Sequence, residues 1–437
     1  MARKMKDSGV EWIGMIPDGW QVCPIKYVAT VYTGNSIKDE DKDFYMDSDD
    51  ARPYVATKDV DAVLGTVNYD NGQYIKRADT SFKVAPANSI LMCIEGGSAG
   101  RKKALLNQEV SFVNKLCCFN GSSKIDGSYL YRFLSSPNYE EEFACHVSGM
   151  IGGVSVSELK SIPVIVPPLS EQQRIANFLD AKCASIDNVI AKTTESIEEY
   201  KKLKQAVITE AVTKGVRGKR PMKDSGIDWI GQIPKEWQCC KIRYLHKGLT
   251  DGTHGTYARL DSGRLLLSSK NVRENELEIG DNESYISEED YQSIVACGFP
   301  QRNDVLMCCI GASIGRCILY DYDEPMAFQR SVIFIRCNSM YLPKMLRYSL
   351  LSEATLVQES FLINQSAQAG LYQGSVAEIY VTVPSLDEQR EIADYLDSKC
   401  AAIDTLISKK KQFIDELTAY KKSLIYEYVT GKKEVPA

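Results

Sequence analysis

Histidine is almost missing from this 437-residue sequence: His146, His246 and His254 are all there are. Three scattered imidazoles give no cluster with metal-ligand spacing. No apolar run approaches the roughly 18 residues a membrane-crossing helix needs, and Met1–Asp7 is polar where a leader would turn apolar. The expectation is a soluble, cytoplasmic protein with no membrane partner. Fourteen cysteines are present, yet no C-x-x-C occurs. Cys117–Cys118, Cys239–Cys240 and Cys308–Cys309 are adjacent pairs. Neighbours along a strand point to opposite faces, so such a pair cannot close on one zinc ion. Reduced, mostly buried thiols are expected, with no metal and no cofactor.

Positive charge is also short. The formal net charge is −6 and the pI near 5.5. That counts against a free-standing DNA binder, because phosphate contacts draw on a basic surface, although local patches matter more than the sum. The acidic runs Asp39–Asp50 and Glu274–Asp290 read as solvated loops. Signatures of catalysis are lacking too. Neither glycine-rich turn is followed by G-K-[ST], which excludes a nucleotide P-loop. The nearest string to an N-P-P-[YF] methyltransferase pocket is Ser136-Pro-Asn-Tyr139, and no spaced carboxylates ahead of an E-x-K strand can be assembled. An enzyme is thereby disfavoured; a scaffold that merely recruits partners through long helices remains the other rival.

What the chain does have is a long internal repeat. Residues 6–21 (KDSGVEWIGMIPDGWQ) and 223–238 (KDSGIDWIGQIPKEWQ) share 11 of 16 positions and hold all four tryptophans. EQQRIANFLDAKCASID from Glu171 and EQREIADYLDSKCAAID from Glu388 keep the same 217-residue offset. That period is too long for a solenoid unit and means two whole halves. The predicted division is a first domain at 1–166, a long helix at 167–218, a second domain at 219–383, and a second long helix with a tail at 384–437.

Both domains mix short β-rich runs with glycine turns and read as α+β, with one helical stretch near Gly127–Phe143 in the first. Between 169 and 214 apolar residues recur at Ile175, Leu179, Cys183, Ile186, Ile190, Ile197, Leu203, Val207 and Ala211 with neither Pro nor Gly, and a similar series follows in 387–430. The spacing predicts two long helices with narrow apolar seams, each about 60–65 Å long at about 1.5 Å per residue. Ser170 and Asp387 are the expected N-caps, and Gly215, Gly218 and Gly431 the stops. Neither seam can stay in water. The chain order domain–helix–domain–helix favours antiparallel packing of one helix on the other, an elongated body with a pseudo-two-fold axis.

Candidate contact residues fall at matching places in the two halves. Glycine turns at Glu95–Lys103 and Ile310–Arg316 carry Arg101, Lys102, Lys103 and Arg316, where bare backbone and positive charge suit a phosphate. Asn114-Lys115 and Gln329-Arg330 follow; amides suit adenine, and Arg or Lys suits guanine. Lys58 and the step Lys270-Asn271 form a third pair, while Lys38 and His254 lie in early polar loops. For each, a structural turn or a solvated strand end is the alternative. The tryptophans read as framework anchors.

The W-I-G-x-I-P-x-x-W entries at Trp12 and Trp229, with the V-P-P-L-S-E-Q-Q-R-I-A-x-x-L-D junction at Val166 and its copy at Val383, resemble the specificity subunit of type I restriction–modification systems. The resemblance spans essentially the whole chain. It implies two tandem globular α/β target-recognition domains separated by two long helices that form an antiparallel coiled coil. It also implies that each domain reads one half of a bipartite, asymmetric double-stranded DNA target. The helices would set the gap and dock two modification subunits bearing the adenine methyltransferase activity. Separate restriction and translocase subunits would join, and the specificity subunit itself would have no catalytic site.

Overall fold

A computed structural model describes residues 3–149, 152–363 and 370–436. The chain divides into two compact units, 1–194 with 411–437, and 195–410. Each unit therefore contains one globular part and a piece of each long helix.

In the first unit, Ile90–Cys93 is a strand buried on both faces. Alternation sends Ile90 and Met92 into one core and Leu91 and Cys93 into another. It sits in a four-stranded antiparallel sheet, ordered Ala29–Thr33, Leu116–Gly121, Ile90–Cys93, Lys103–Leu105. A second sheet orders Tyr74–Lys76, Ala51–Val55, Val110–Phe112 and Val84–Ala85, and its central pair is parallel, Ser111 opposite Tyr54. The second unit repeats the plan. Val305–Cys308 is its doubly buried strand, with Val305 and Met307 in one core and Leu306 and Cys308 in another. Arg264–Leu267 and Ala327–Phe328 form the parallel pair. The same alternation separates Cys117 from Cys118 and Cys308 from Cys309 between different cores, and burial pushes the Cys117 thiol up to about 12.

The stretch expected to be one helix near Gly127–Phe143 is two, Gly127–Leu134 and Pro137–Cys145. Pro137 begins the second, where a missing N–H costs nothing.

The long helices span Leu169–Lys214 and Leu386–Val429. They start one residue before Ser170 and Asp387, so neither is the N-cap. The fully buried Gln172 and Gln389 do the tying instead. Gln172 donates to Pro167 O and Lys124 O and accepts from Asp126 N–H. Gln389 does the same with Pro384 O, Met340 O and Leu342 N–H. Gly215 and Gly431, both left-handed at φ 77° and 70°, follow the last turns.

Within each unit the two helices run antiparallel. In the first, the Phe178 and Tyr428 rings lie 4.6 Å apart and Lys421 bonds Asp187 at 2.6 Å. In the second, Lys204 bonds Asp404 at 2.6 Å and Lys410 lies over Tyr200. Asp187 and Asp404, and Lys204 and Lys421, are related by the 217-residue repeat, so both units use one ion pair to set the register. The seam differs from expectation at Leu203, which is 48% exposed, because Tyr200 and Lys204 occupy the contact there.

The tryptophans divide by burial. Trp20 and Trp237 are buried, and their indole N–H groups donate to Glu171 and Glu388 of the helix starts, both at 2.8 Å. Arg3 and Arg220 stack over the respective rings. Trp12 is half-buried and Trp229 is 40% exposed. No helix is long and apolar enough to cross a membrane among the described residues.

Candidate nucleic-acid interface

Parallel neighbours end side by side, and this gathers the candidates. In the first unit, Ala51–Val55 leads into Thr57-Lys58 and Val110–Phe112 leads into Asn114-Lys115; Val113 N–H bonds Val55 O at 3.0 Å. The glycine turn joins them, since Ile94 N–H donates to Lys115 O and Lys102 Nζ donates to Thr57 O at 2.9 Å. In the second unit, Arg264–Leu267 leads into Lys270-Asn271 and Ala327–Phe328 into Gln329-Arg330, with Gln329 N–H on Leu267 O. Cys309 N–H donates to Ser331 O and Arg316 to Val272 O. Three segments far apart in sequence thus meet on one edge of each unit.

The candidate residues fall into three groups. Lys58, Arg101, Asn114, Lys115 and Arg330 are exposed. Lys58, Arg101, Lys115 and Arg330 form no side-chain ion pair among the described residues, leaving four uncommitted cations. Lys102, Arg316, Lys270 and Gln329 are intermediate or tied: Lys102 and Arg316 hold backbone carbonyls, and Lys270 pairs with Glu283 at 2.9 Å. Lys103 and Asn271 are interior. Lys103 is 6% exposed and donates to Glu140 and to Leu134 O, both at 2.8 Å. Asn271 is 1% exposed and bonds Glu278 O, Glu283 and Ser268 N–H, closing its own turn.

Strand register also shifts the expected correspondences. Lys103 faces Met92 where Cys317 faces Met307, so Arg316 matches Lys102 and Arg101 is an extra residue at the first tip. Likewise Lys115 matches Ser331, and Arg330 matches Asn114, because Ile94 and Cys309 bond the equivalent carbonyls.

A fourth segment completes each cluster. The loop after Ala29–Thr33 places Asn35 N–H on Phe112 O, and Ser36 donates to Asn114 Oδ1 at 2.7 Å. Its counterpart places Thr253 N–H on Phe328 O and Arg330 N–H on Thr253 O. Gly34 and Gly252 permit this: an added Cβ would fall 1.8 Å from Phe112 O and 2.3 Å from Gln329 O. The signal was the polar strings Thr-Gly-Asn-Ser and Asp-Gly-Thr-His at nearly the repeat offset. His254 therefore lies in the cluster, bonded to Asp251 at 2.8 Å; Lys38 is exposed farther along its loop. Among the described residues no group of three or more His, Cys, Asp or Glu is placed to hold a metal ion.

The sequence model for the type I restriction modification DNA specificity domain matches residues 17–199 and 269–416. The chain belongs to this specificity family. Similar proteins include the MjaVIII type I restriction enzyme specificity subunit of Methanocaldococcus jannaschii, 25% identical over 96% of this chain and 94% of that one. The EcoKI specificity subunit of Escherichia coli K12 is 21% identical over 96% of this chain and 90% of that one. Among solved structures, a chain described in the complex assembly and conformational transition of the type I R-M system superposes with a TM-score of 0.71. It has 15% identity over 96% of this chain and 99% of that one, a likeness of fold. The specificity subunit is the non-catalytic DNA-recognition component of a type I restriction–modification system, and the α+β architecture with paired long helices is that of the family.

Proposed function

We propose that the globular parts, bounded at 1–166 and 219–383, each bind one half of a bipartite, asymmetric double-stranded DNA target. The observation that carries this reading is the matched pair of edge clusters. A common backbone frame, tied by the same hydrogen bonds, presents Lys58, Arg101, Lys102, Asn114 and Lys115 in one unit and Lys270, Arg316, Gln329 and Arg330 in the other. One frame with different side chains suits two readers of different sequences. The exposed lysines and Arg101 suit phosphate contacts, while Arg330 and the amides suit base edges. Lys103 and Asn271, both interior, shape the clusters from behind.

The helical segments 167–218 and 384–437 set the gap between half-sites and dock two modification subunits, which carry the methyl transfer; restriction and translocase subunits complete the assembly. Those partners supply phosphate-neutralising charge that an acidic chain lacks. The chain acts in the cytoplasm.

The test is single-molecule mapping of adenine methylation in cells expressing this chain with its modification subunit. A methylated bipartite motif with a fixed gap, lost on deleting the gene, is the expected result. Inserting one helical turn within 187–214 should lengthen the gap and leave both half-sites unchanged; altered half-sites would refute the division of roles.

A further inference from the structure

Arg330 does not stand alone on its edge. The loop at Gly252–Gly255, the turn at Gln329-Arg330 and Gln373 converge on a cleft of about 110 Å³ lined in part by Asp251, His254, Arg330 and Gln373. Asp251 accepts hydrogen bonds from His254 Nε2 at 2.8 Å and from Gln373 Nε2. Those bonds engage the Nε2 of Gln373 and leave its Oε1 as an acceptor on a residue that lines the same cleft as Arg330. Arg330 itself has no side-chain partner among the described residues.

This chemistry is wrong for a phosphate, which would sit against the Asp251 carboxylate. It fits a neutral edge that offers acceptors to Arg330 and a donor to Gln373. In the major groove a G·C pair presents guanine N7 and O6 as acceptors and, beside them, the cytosine N4 amine as donor. A planar guanidinium takes the two acceptors together, and a lysine ammonium cannot reproduce that fork.

We infer that the cleft reads a G·C base pair, with Arg330 donating to guanine, Gln373 accepting from cytosine, and Asp251 and His254 as positioning residues. The inference rests on the reading that this unit binds a DNA half-site. The first unit has a different reader at the equivalent position, since Asn114 is held by Ser36.

The experiment maps methylation by the full complex carrying the native chain, Arg330→Ala, Arg330→Lys or Asp251→Asn. Both Arg330 variants should lose discrimination at one G·C position of one half-site, by roughly ten- to hundredfold, with the other half-site unchanged. Asp251→Asn should relax the same position less. Full stringency in Arg330→Lys, an equal loss of methylation at every site, or relaxation at an A·T position would each overturn the cleft as a G·C reader. A native complex with a working modification subunit and no bipartite motif would instead refute DNA recognition by this unit. A native motif unchanged in all variants would refute the cleft alone.

Discussion

Behind the two glycine turns the units solve one packing problem with opposite chemistry. In the first, Lys103 enters the interior and meets Glu140, while the Phe143 ring lies under Gly100. In the second, Cys317 takes the strand position of Lys103, and Glu359 lies under Gly315, 2.6 Å from where a Cβ would stand. Glu359 is 3% exposed, its Oε1 lacks a hydrogen-bond partner among the described residues, and burial raises its carboxyl to about 8. An ion pair in one unit and, in the other, an acid with no ion-pair partner among the described residues support the same hairpin. The backbone geometry is therefore held by the doubly buried strands and glycine turns, and the side chains beneath are free to differ.

The sharpest way to break that view is to attack what both units share. Trp20→Ala and Trp237→Ala should each cost about 3–5 kcal/mol, measured by denaturant unfolding. Unequal costs would mean that the two frames are not equivalent. Next comes Glu359→Gln. Its carboxyl ionises at about 8 in the fold and near 4.5 when unfolded, so the native protein loses stability as pH rises from 4.5 to 8. The variant should be more stable by a gap that opens across that window, reaches about 5 kcal/mol, and stays level above it. A constant gap would mean that the acid is hydrated. Lys103→Met should cost about 1–3 kcal/mol by stranding Glu140 and Leu134 O, without altering the DNA sequence methylated. A changed half-site would move Lys103 onto DNA. Smallest is Asp187→Asn, expected to cost about 0.5 kcal/mol because the pair with Lys421 is partly exposed; its counterpart Asp404→Asn should match it.

The frame was legible in the sequence because its parts are residues with few substitutes. Tryptophans bonding a helix-start glutamate, and glycines at left-handed φ, leave a repeat visible at a fixed offset. The helices were legible from their seams, except where Tyr200 and Lys204 replace Leu203 at the contact. The edge clusters were visible only as separate pieces. Parallel pairing of Ala51–Val55 with Val110–Phe112 brings loops together across nearly sixty residues, and periodicity carries no sign of that partner choice. Alternation along one strand then decided inward or outward for Lys103, and length differences in both halves, one residue more at Arg101 in the first and two more between Cys317 and Arg330 in the second, displaced the correspondences.

Gly34 and Gly252 carry a consequence for how such chains diversify. Each is wedged against a carbonyl with no room for even a methyl group, so the loop beyond it always leaves the sheet from the same point and in the same direction. Insertions and substitutions can remodel everything after that point while the origin stays put. Recombination between relatives that breaks the chain at these glycines would exchange whole loops that already leave the sheet in the right direction, so the surface beyond could be replaced in one step without first relearning how to fold.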